Sequence, residues 1–256
     1  MLGFNGGLIG KTQTTSASQS LPGMWTLTEH LEAKRNNSWP TVVAPNDPYF
    51  NNVSLLLRMN GSNGSTTFTD DSLESRTITR ANATISTVQS KYGGSSGSFI
   101  PTSYLQTAAA PGLQFPGDFT IELWHYTASS ADMVLGSSSD GTNTQIFRLN
   151  QSGNTGAIGF YMNNTQVILS QANLALNTWQ HLAFCRSGTN TRMFVDGIQK
   201  GTTNTTWSGT FRMDVIGVWW FQGSPSSYYF NGYMDDLRIT KNFGRYTSNF
   251  TPPGPL

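Results

Sequence analysis

Formal charge is scarce in this chain. Asp, Glu, Lys and Arg make up 11% of its 256 residues, against about 25% in an ordinary globular domain. The two signs nearly cancel, leaving a net charge of +1, so there is no basic field to draw in nucleic acid or an anionic membrane surface. Cys185 is the single cysteine, which excludes an intrachain disulfide. No metal-ligand or nucleophile spacing surrounds it, and it reads as a small buried hydrophobe. No stretch approaches the ~18 consecutive apolar residues of a transmembrane helix. Met1-Leu2-Gly3-Phe4 lacks the basic n-region and apolar core of a signal peptide. Asn-x-Ser/Thr triplets such as Asn60-Gly61-Ser62 arise by chance in a chain so rich in those residues, and without a secretion signal they are not read as glycosylated.

The signatures of catalysis are missing as well. There is no Gly-x-Ser-x-Gly, Walker loop or dinucleotide fingerprint. His30, His125 and His181 lie on separate elements and form no metal pair at helical or hairpin spacing. His181 alternates with Trp179 and Ala183, which points to a packed, hydrogen-bonded side chain. Glycoside hydrolysis needs two carboxylates flanking the scissile bond. The glutamates are Glu29, Glu32, Glu74 and Glu122, and Glu122 has Thr120 and Trp124, not a second carboxylate, at its same-face positions. The expectation is a protein that is not an enzyme.

Gly, Ser, Thr and Asn together fill roughly two fifths of the chain, well above their usual share. That mixture favours turns and short strands over helices, and aromatics at 12% supply a core. Residues 1–20 are small and polar and read as an extended arm. Thr26-x-x-Glu29 has the form of a capping box, and Leu27 and Leu31 lie one turn apart before Lys34-Arg35. A short helix from about Leu27 to Arg35 fits, flanked by Trp25 and Trp39 and ended by Pro40. It is too short to stand alone, so it must dock on its own domain or on another protein. From Asn46 onward the pattern is that of strands: an apolar run at Val53–Arg58, alternation through Phe119, Ile121 and Leu123, a hairpin about Asn163-Asn164, strands at Trp179–Arg186 and Thr191–Val195, then Val215–Trp219 and Tyr233–Thr240. Many short strands separated by Gly/Asn/Ser turns argue an all-β antiparallel β-sandwich. The division expected is an arm and short helix over residues 1–45 and a sandwich over residues 46–256.

Four phrases carry a resemblance, by their order and spacing: Asp118-Phe119-Thr120-Ile121-Glu122-Leu123-Trp124, the strand from Trp179, the Val195-Asp196-Gly197 hairpin, and the closing Asn231–Lys241. Together they resemble the laminin-G-like, concanavalin A-like lectin/glucanase jelly roll, over roughly Asp47 to Pro253. The ending, Asp235-Asp236-Leu237-Arg238-Ile239-Thr240-Lys241 and then Arg245-Tyr246-Thr247-Ser248-Asn249-Phe250-Thr251-Pro252-Pro253, is similar to that of such domains in phage tails, capsid fibres and bacterial surface proteins. The phrase running from Leu21 through Trp25-Thr26-Leu27 to Trp39-Pro40 resembles N-terminal segments of tailed-phage structural proteins. What these resemblances imply is a virion structural protein, a capsid fibre, decoration or tail component made in the host cytoplasm. Trp25, Leu27, Leu31 and Trp39 would attach it to other virion proteins, the jelly roll would project outward, and the copies would form a homo-oligomer in the particle. Host surface glycans are the implied ligands. The rival class is a carbohydrate-binding or adhesion module of a cell-surface protein.

Two features of the sandwich invite a site. Trp219-Trp220-Phe221 and Tyr228-Tyr229-Phe230 bracket the loop Gln222–Ser227. Adjacent residues on a strand face opposite ways, so at least one of Trp219 and Trp220 points away from the core, where it can stack on a sugar ring or anchor a partner. Trp219, Trp220, Phe221, Tyr228 and Tyr229 are the candidate ligand residues. In a regular closing strand, Tyr233, Asp235, Leu237 and Ile239 share a face, while Met234, Asp236 and Arg238 share the other. A buried Asp235 needs hydrogen bonds, a charged partner or a metal. It either ties down an adjacent loop or binds calcium, which prefers hard oxygen ligands. Asp70, Asp71 and Asp140 are further oxygen donors whose proximity the sequence does not give. Asp236 and Arg238 would pair across the exposed face.

Overall fold

The computed structural model describes residues 47–108, 111–140, 145–150, 156–162, 165–172 and 174–256. The expected arm and helix, with Trp25, Leu27, Leu31 and Trp39, lie outside the described residues. From Pro48 to Leu256 the chain forms one compact unit. It is all-β: among the described residues the only helical elements are two short 3-10 turns, Phe50–Asn52 and Pro111–Leu113.

Two antiparallel sheets make the sandwich. In the 8-stranded sheet the order is β14 (Ile198–Asn204), β13 (Asn190–Val195), β12 (Gln180–Ser187), β7 (Phe119–Tyr126), β19 (Gly232–Lys241), β4 (Ser96–Phe99) and β3 (Thr84–Ser86), with β1 (Val53–Leu57) also paired to β19. In the 7-stranded sheet the order is β11 (Thr165–Gln171), β10 (Ala157–Met162), β9 (Gln145–Leu149), β8 (Met133–Ser137), β16 (Val215–Ile216), β5 (Tyr104–Thr107) and β2 (Ile78–Ala81). Two small ribbons complete the set: β6 (Gln114–Phe115) with β15 (Phe211–Arg212), and β17 (Trp219–Phe221) with β18 (Ser224–Ser227). The crossovers between non-sequential neighbours make this a jelly roll.

The core lies between the sheets and is built by the expected alternation. Phe119, Ile121 and Leu123 on β7 and Leu182 and Phe184 on β12 meet Leu135, Phe147 and Phe160 of the opposite sheet. Phe160 and Phe184 touch across the layers with ring centroids 4.1 Å apart. Phe115, Phe119 and Phe211 pack against one another nearby. The residues between these, Thr120, Glu122 and Trp124, face outward, yet all three are buried. Something covers the outer face of the 8-stranded sheet.

Candidate functional site

The cover is the chain's own closing segment, residues 242–256. It returns over the sheet after β19, and Phe250 donates its N–H to the Gly197 carbonyl at 2.9 Å. Tyr246 and Phe250 stack at 3.5 Å and 3° on Ala183, Cys185 and Phe194. Gly197 permits this seat: its φ is +75°, and a Cβ there would lie 1.8 Å from the Phe250 carbonyl oxygen. Beneath the strap, Glu122 is fully buried and saturated. It receives the Arg238 guanidinium at 2.7 Å, the Tyr246 hydroxyl at 2.6 Å and lies 3.3 Å from His181 Nε2. Burial alone would raise the Glu122 pKa, but the His181 hydrogen bond and the Arg238 charge outweigh it and bring it to about 2. A carboxylate held ionised, closed off from solvent and without a carboxylate partner cannot serve as a glycosidase acid.

The closing strand departs from the regular alternation expected of it. Its pairing with β7 shifts between Asp235 and Arg238, and Asp236 takes the left-handed φ of +45°, which marks a bulge. The bulge reverses the facing. Met234, Leu237 and Ile239 enter the core, so Asp235 shares no face with Leu237 and Ile239. Asp235 is buried all the same, accepting the backbone N–H of Lys91 at 2.9 Å, of Tyr92 at 3.0 Å and of Asp236 at 3.0 Å. It ties down the loop before β4. Asp236 is not solvated as expected but 3% exposed, its carboxylate accepting the Leu256 N–H at 3.0 Å, while Arg238 goes to Glu122. Asp70 caps a turn through Leu56, Ser72 and Arg76, Asp71 pairs with Arg58 and Asp140 lies 4.0 Å from Arg212. Among the described residues no group of three His, Cys, Asp or Glu is placed to hold a metal ion.

Burial raises both carboxyls of the Asp pair, Asp235 to about 6 against its backbone hydrogen bonds, and Asp236 to about 7, with Asp235's charge adding to the rise. A carboxyl whose folded pKa lies above its unfolded value contributes stability below the unfolded pKa and loses it as pH rises through the folded one. His125 is buried and lowered to about 4, so it acts in the opposite sense but only below about pH 6.5. From pH 6.5 to 8 the Asp pair should dominate. The melting temperature is expected to fall over that interval, and to fall less in Asp236→Asn, whose side chain keeps the Leu256 acceptor. Parallel slopes in scanning calorimetry would show that Asp236 does not titrate there.

The aromatic cluster lies on the other side of the molecule. Between Val218, in the core, and Phe230, also in the core, the chain leaves the sandwich as the β17–β18 hairpin and lies on the outer face of the 7-stranded sheet. Ser137 on β8 anchors it, donating to the Val218 carbonyl at 2.8 Å and accepting the Trp220 N–H at 3.1 Å. Tyr228 re-enters at φ +58°, an outlier for a bulky side chain, of the kind that surrounding structure must hold in place. Trp219 lies against Tyr228 (5.7 Å) and Phe221 (5.1 Å), packed on Val134 and Tyr161. Arg148, doubly bonded to Asp132, stacks 4.2 Å over the Tyr228 ring. Trp220 projects from the other side of the ribbon onto Tyr104 at 5.5 Å. Both tryptophans are thus outside the core, and all five candidates are half-buried. The structure gathers Trp219, Phe221 and Tyr228 with Tyr161 and Arg148, which the sequence did not point to, sets Trp220 beside Tyr104, and leaves Tyr229 in neither group.

The family model Laminin_G_3, described as the concanavalin A-like lectin/glucanases superfamily, matches residues 97–242. No curated protein matches the sequence. Solved structures match by fold. Domain 4 of AbnA, a GH43 extracellular arabinanase from Geobacillus stearothermophilus, in complex with arabinotriose, is 15% identical with a TM-score of 0.55, over 73% of this chain and 91% of that one. The binding domain of Paraclostridial Mosquitocidal Protein 1 is 11% identical with a TM-score of 0.52, over 75% of this chain and 49% of that one. The botulinum neurotoxin serotype D binding domain is 9% identical with a TM-score of 0.52, over 79% of this chain and 49% of that one. This chain therefore spans about half the length of the two toxin domains.

Proposed function

This chain belongs to the concanavalin A-like lectin/glucanases superfamily, and we propose that it is a non-catalytic glycan-binding module. The observation that carries this reading is the β17–β18 hairpin: an aromatic ribbon held outside the core, on a strained Tyr228, with its rings half open to solvent. Aromatic faces bind the C–H faces of sugar rings, and the half-buried Arg148–Asp132 pair fixes the platform's edge by stacking on Tyr228. The AbnA domain, which shares the fold and is described in complex with arabinotriose, supports the ligand class. The saturated Glu122 supports a binding role over hydrolysis.

The setting we propose is a virion: residues 1–45 attach the protein to capsid or tail components, and residues 46–256 display the module to host surface glycans. The tailed-phage phrase about Trp25 and Trp39 supports this. A carbohydrate-binding module of a cell-surface protein is the second reading, favoured by the similarity to a domain of an extracellular enzyme. Calcium at Asp235 is not needed, since three backbone N–H groups already occupy that carboxylate.

On a glycan array the protein is expected to bind a defined set of saccharides. Trp220→Ala/Phe221→Ala should weaken that binding at least tenfold, each half-buried aromatic anchor being worth about 2 kcal/mol. Equal binding by the variant would remove the hairpin as the site. Labelling a purified particle with an antibody to residues 46–256 distinguishes virion from cell surface.

A further inference from the structure

The strap over Glu122 and the loop held by Asp235 roof much of the outer face of the 8-stranded sheet. One row across that face is built differently. Tyr126 on β7 and Tyr233 on β19 are direct cross-strand partners with ring centroids 5.9 Å apart. Trp179 precedes Gln180, which pairs with His125, so its indole flanks Tyr126 on the other side, at 5.7 Å. Tyr233 pairs in turn with Ser98, and Ser98 with Thr84. Phe99 and Ile85 beside them enter the core, so Ser98 and Thr84 face outward. The row runs perpendicular to five strands as three half-buried rings followed by two half-buried hydroxyls. Its steps follow the strand spacing of about 4.8 Å.

Nothing in this row carries a formal charge. It offers ring faces, two phenol hydroxyls and two aliphatic hydroxyls. The Trp179 indole N–H is closed off from solvent, so Trp179 contributes its ring face and not a donor. Ring faces for C–H surfaces and hydroxyls for hydroxyls are what a neutral sugar chain requires. A protein partner would instead call for a continuous apolar centre inside a polar rim, and the row is one residue wide. Successive rings are turned by 53° and 70°, so the platform is not flat. It suits a single chain whose sugar rings rotate along its length, not the plane of a crystalline fibre.

We infer that Trp179, Tyr126, Tyr233, Ser98 and Thr84 form a second saccharide site, on the face opposite the hairpin, for one strand of a linear neutral polysaccharide lying across the sheet. The inference rests on the reading of the protein as a glycan-binding module but uses no hairpin residue.

The test is electrophoresis through gels cast with soluble mixed-linkage β-glucan, xylan or linear arabinan, together with pull-down on microcrystalline cellulose, starting from the Trp220→Ala/Phe221→Ala protein. That variant should still be retarded by at least one soluble polysaccharide and should not be retained by cellulose. Adding Tyr126→Ala or Tyr233→Ala should reduce the retardation at least tenfold, while Tyr233→Phe keeps the ring and most of the effect. Thermal melts of each variant separate loss of binding from loss of fold. The inference fails if the hairpin variant is retarded by none of the three, if Tyr126→Ala and Tyr233→Ala change nothing, or if cellulose retains the protein as well as the soluble chains do. Failure of the hairpin site alone shows separately, as equal retardation of the hairpin variant and the unaltered protein.

Discussion

Replacing Glu122 by alanine is expected to cost about 3–5 kcal/mol of folding stability, a large part of the roughly 5–15 kcal/mol that holds a typical domain together. The loss does not measure the worth of the ion pair. Removing the carboxylate leaves the Arg238 guanidinium, 7% exposed, without the partner that sits 2.7 Å away, and leaves the Tyr246 hydroxyl without its acceptor. Urea denaturation followed by tryptophan fluorescence reads the change directly. Glu122→Leu/Arg238→Met, which removes both charges at similar volume, should lie closer to the unaltered protein than Glu122→Ala does. If the double variant is the worse of the two, the pair stabilises in its own right. The pH dependence follows from the same group. A carboxyl lowered from 4.5 to about 2 contributes stability that is present above pH 4.5 and lost as pH falls through about 2. Glu122→Gln should remove that part of the acid transition.

The same residues show how far the sequence could be read. The sandwich was legible because its strands alternate cleanly: Phe119, Ile121 and Leu123 enter the core with Leu182 and Phe184, and Val53–Leu57 is buried throughout. The facing of the closing strand was not. A bulge costs one residue of register and leaves no mark on an alternation count, so regular alternation places Asp235 on the core face of Leu237 and Ile239. It predicts the burial of Asp235 for the wrong reason and gives no sign of the burial of Asp236. Acidic residues in tandem before a run of apolar alternation were the one local hint, since Asp tolerates a left-handed backbone better than most side chains. Of the site, the aromatic ribbon was legible as a contradiction: Trp219 and Trp220 in sequence cannot both face inward. Arg148, Asp132 and Tyr161 were not, because they come from β9, the residue before β8, and β10 and are joined to the hairpin only by the fold. Trp179, Tyr126 and Tyr233 are alike in this respect. Each alone looks like an ordinary strand aromatic, and only the pairing across β12, β7 and β19 sets them in line.

The closing strap yields the second large effect. Tyr246→Ala/Phe250→Ala removes two stacked rings that cover Ala183, Cys185 and Phe194. A fully buried aromatic truncated to alanine costs about 3–5 kcal/mol, and these two rings are half-buried. They also touch one another, so their costs will not add, and a loss of about 3–5 kcal/mol is expected for the pair together on that scale. The strap's second consequence is chemical. Cys185 is 1% exposed, bonded to the Tyr246 N–H at 3.4 Å, and burial raises its thiol pKa, so it should be nearly inert to a thiol reagent while the strap is seated. Undocking exposes it without requiring the sandwich to open. Gly197→Ala reaches the same state with no loss of aromatic surface, because its Cβ collides with the Phe250 carbonyl and the left-handed backbone disfavours the new side chain. In both variants the thiol should react at least tenfold faster than in the unaltered protein, at a denaturant concentration where circular dichroism still reports intact strands. If Cys185 labels only in step with global unfolding, strap and sandwich form a single cooperative unit. In that case Glu122 owes its burial to the whole fold and not to a detachable cover.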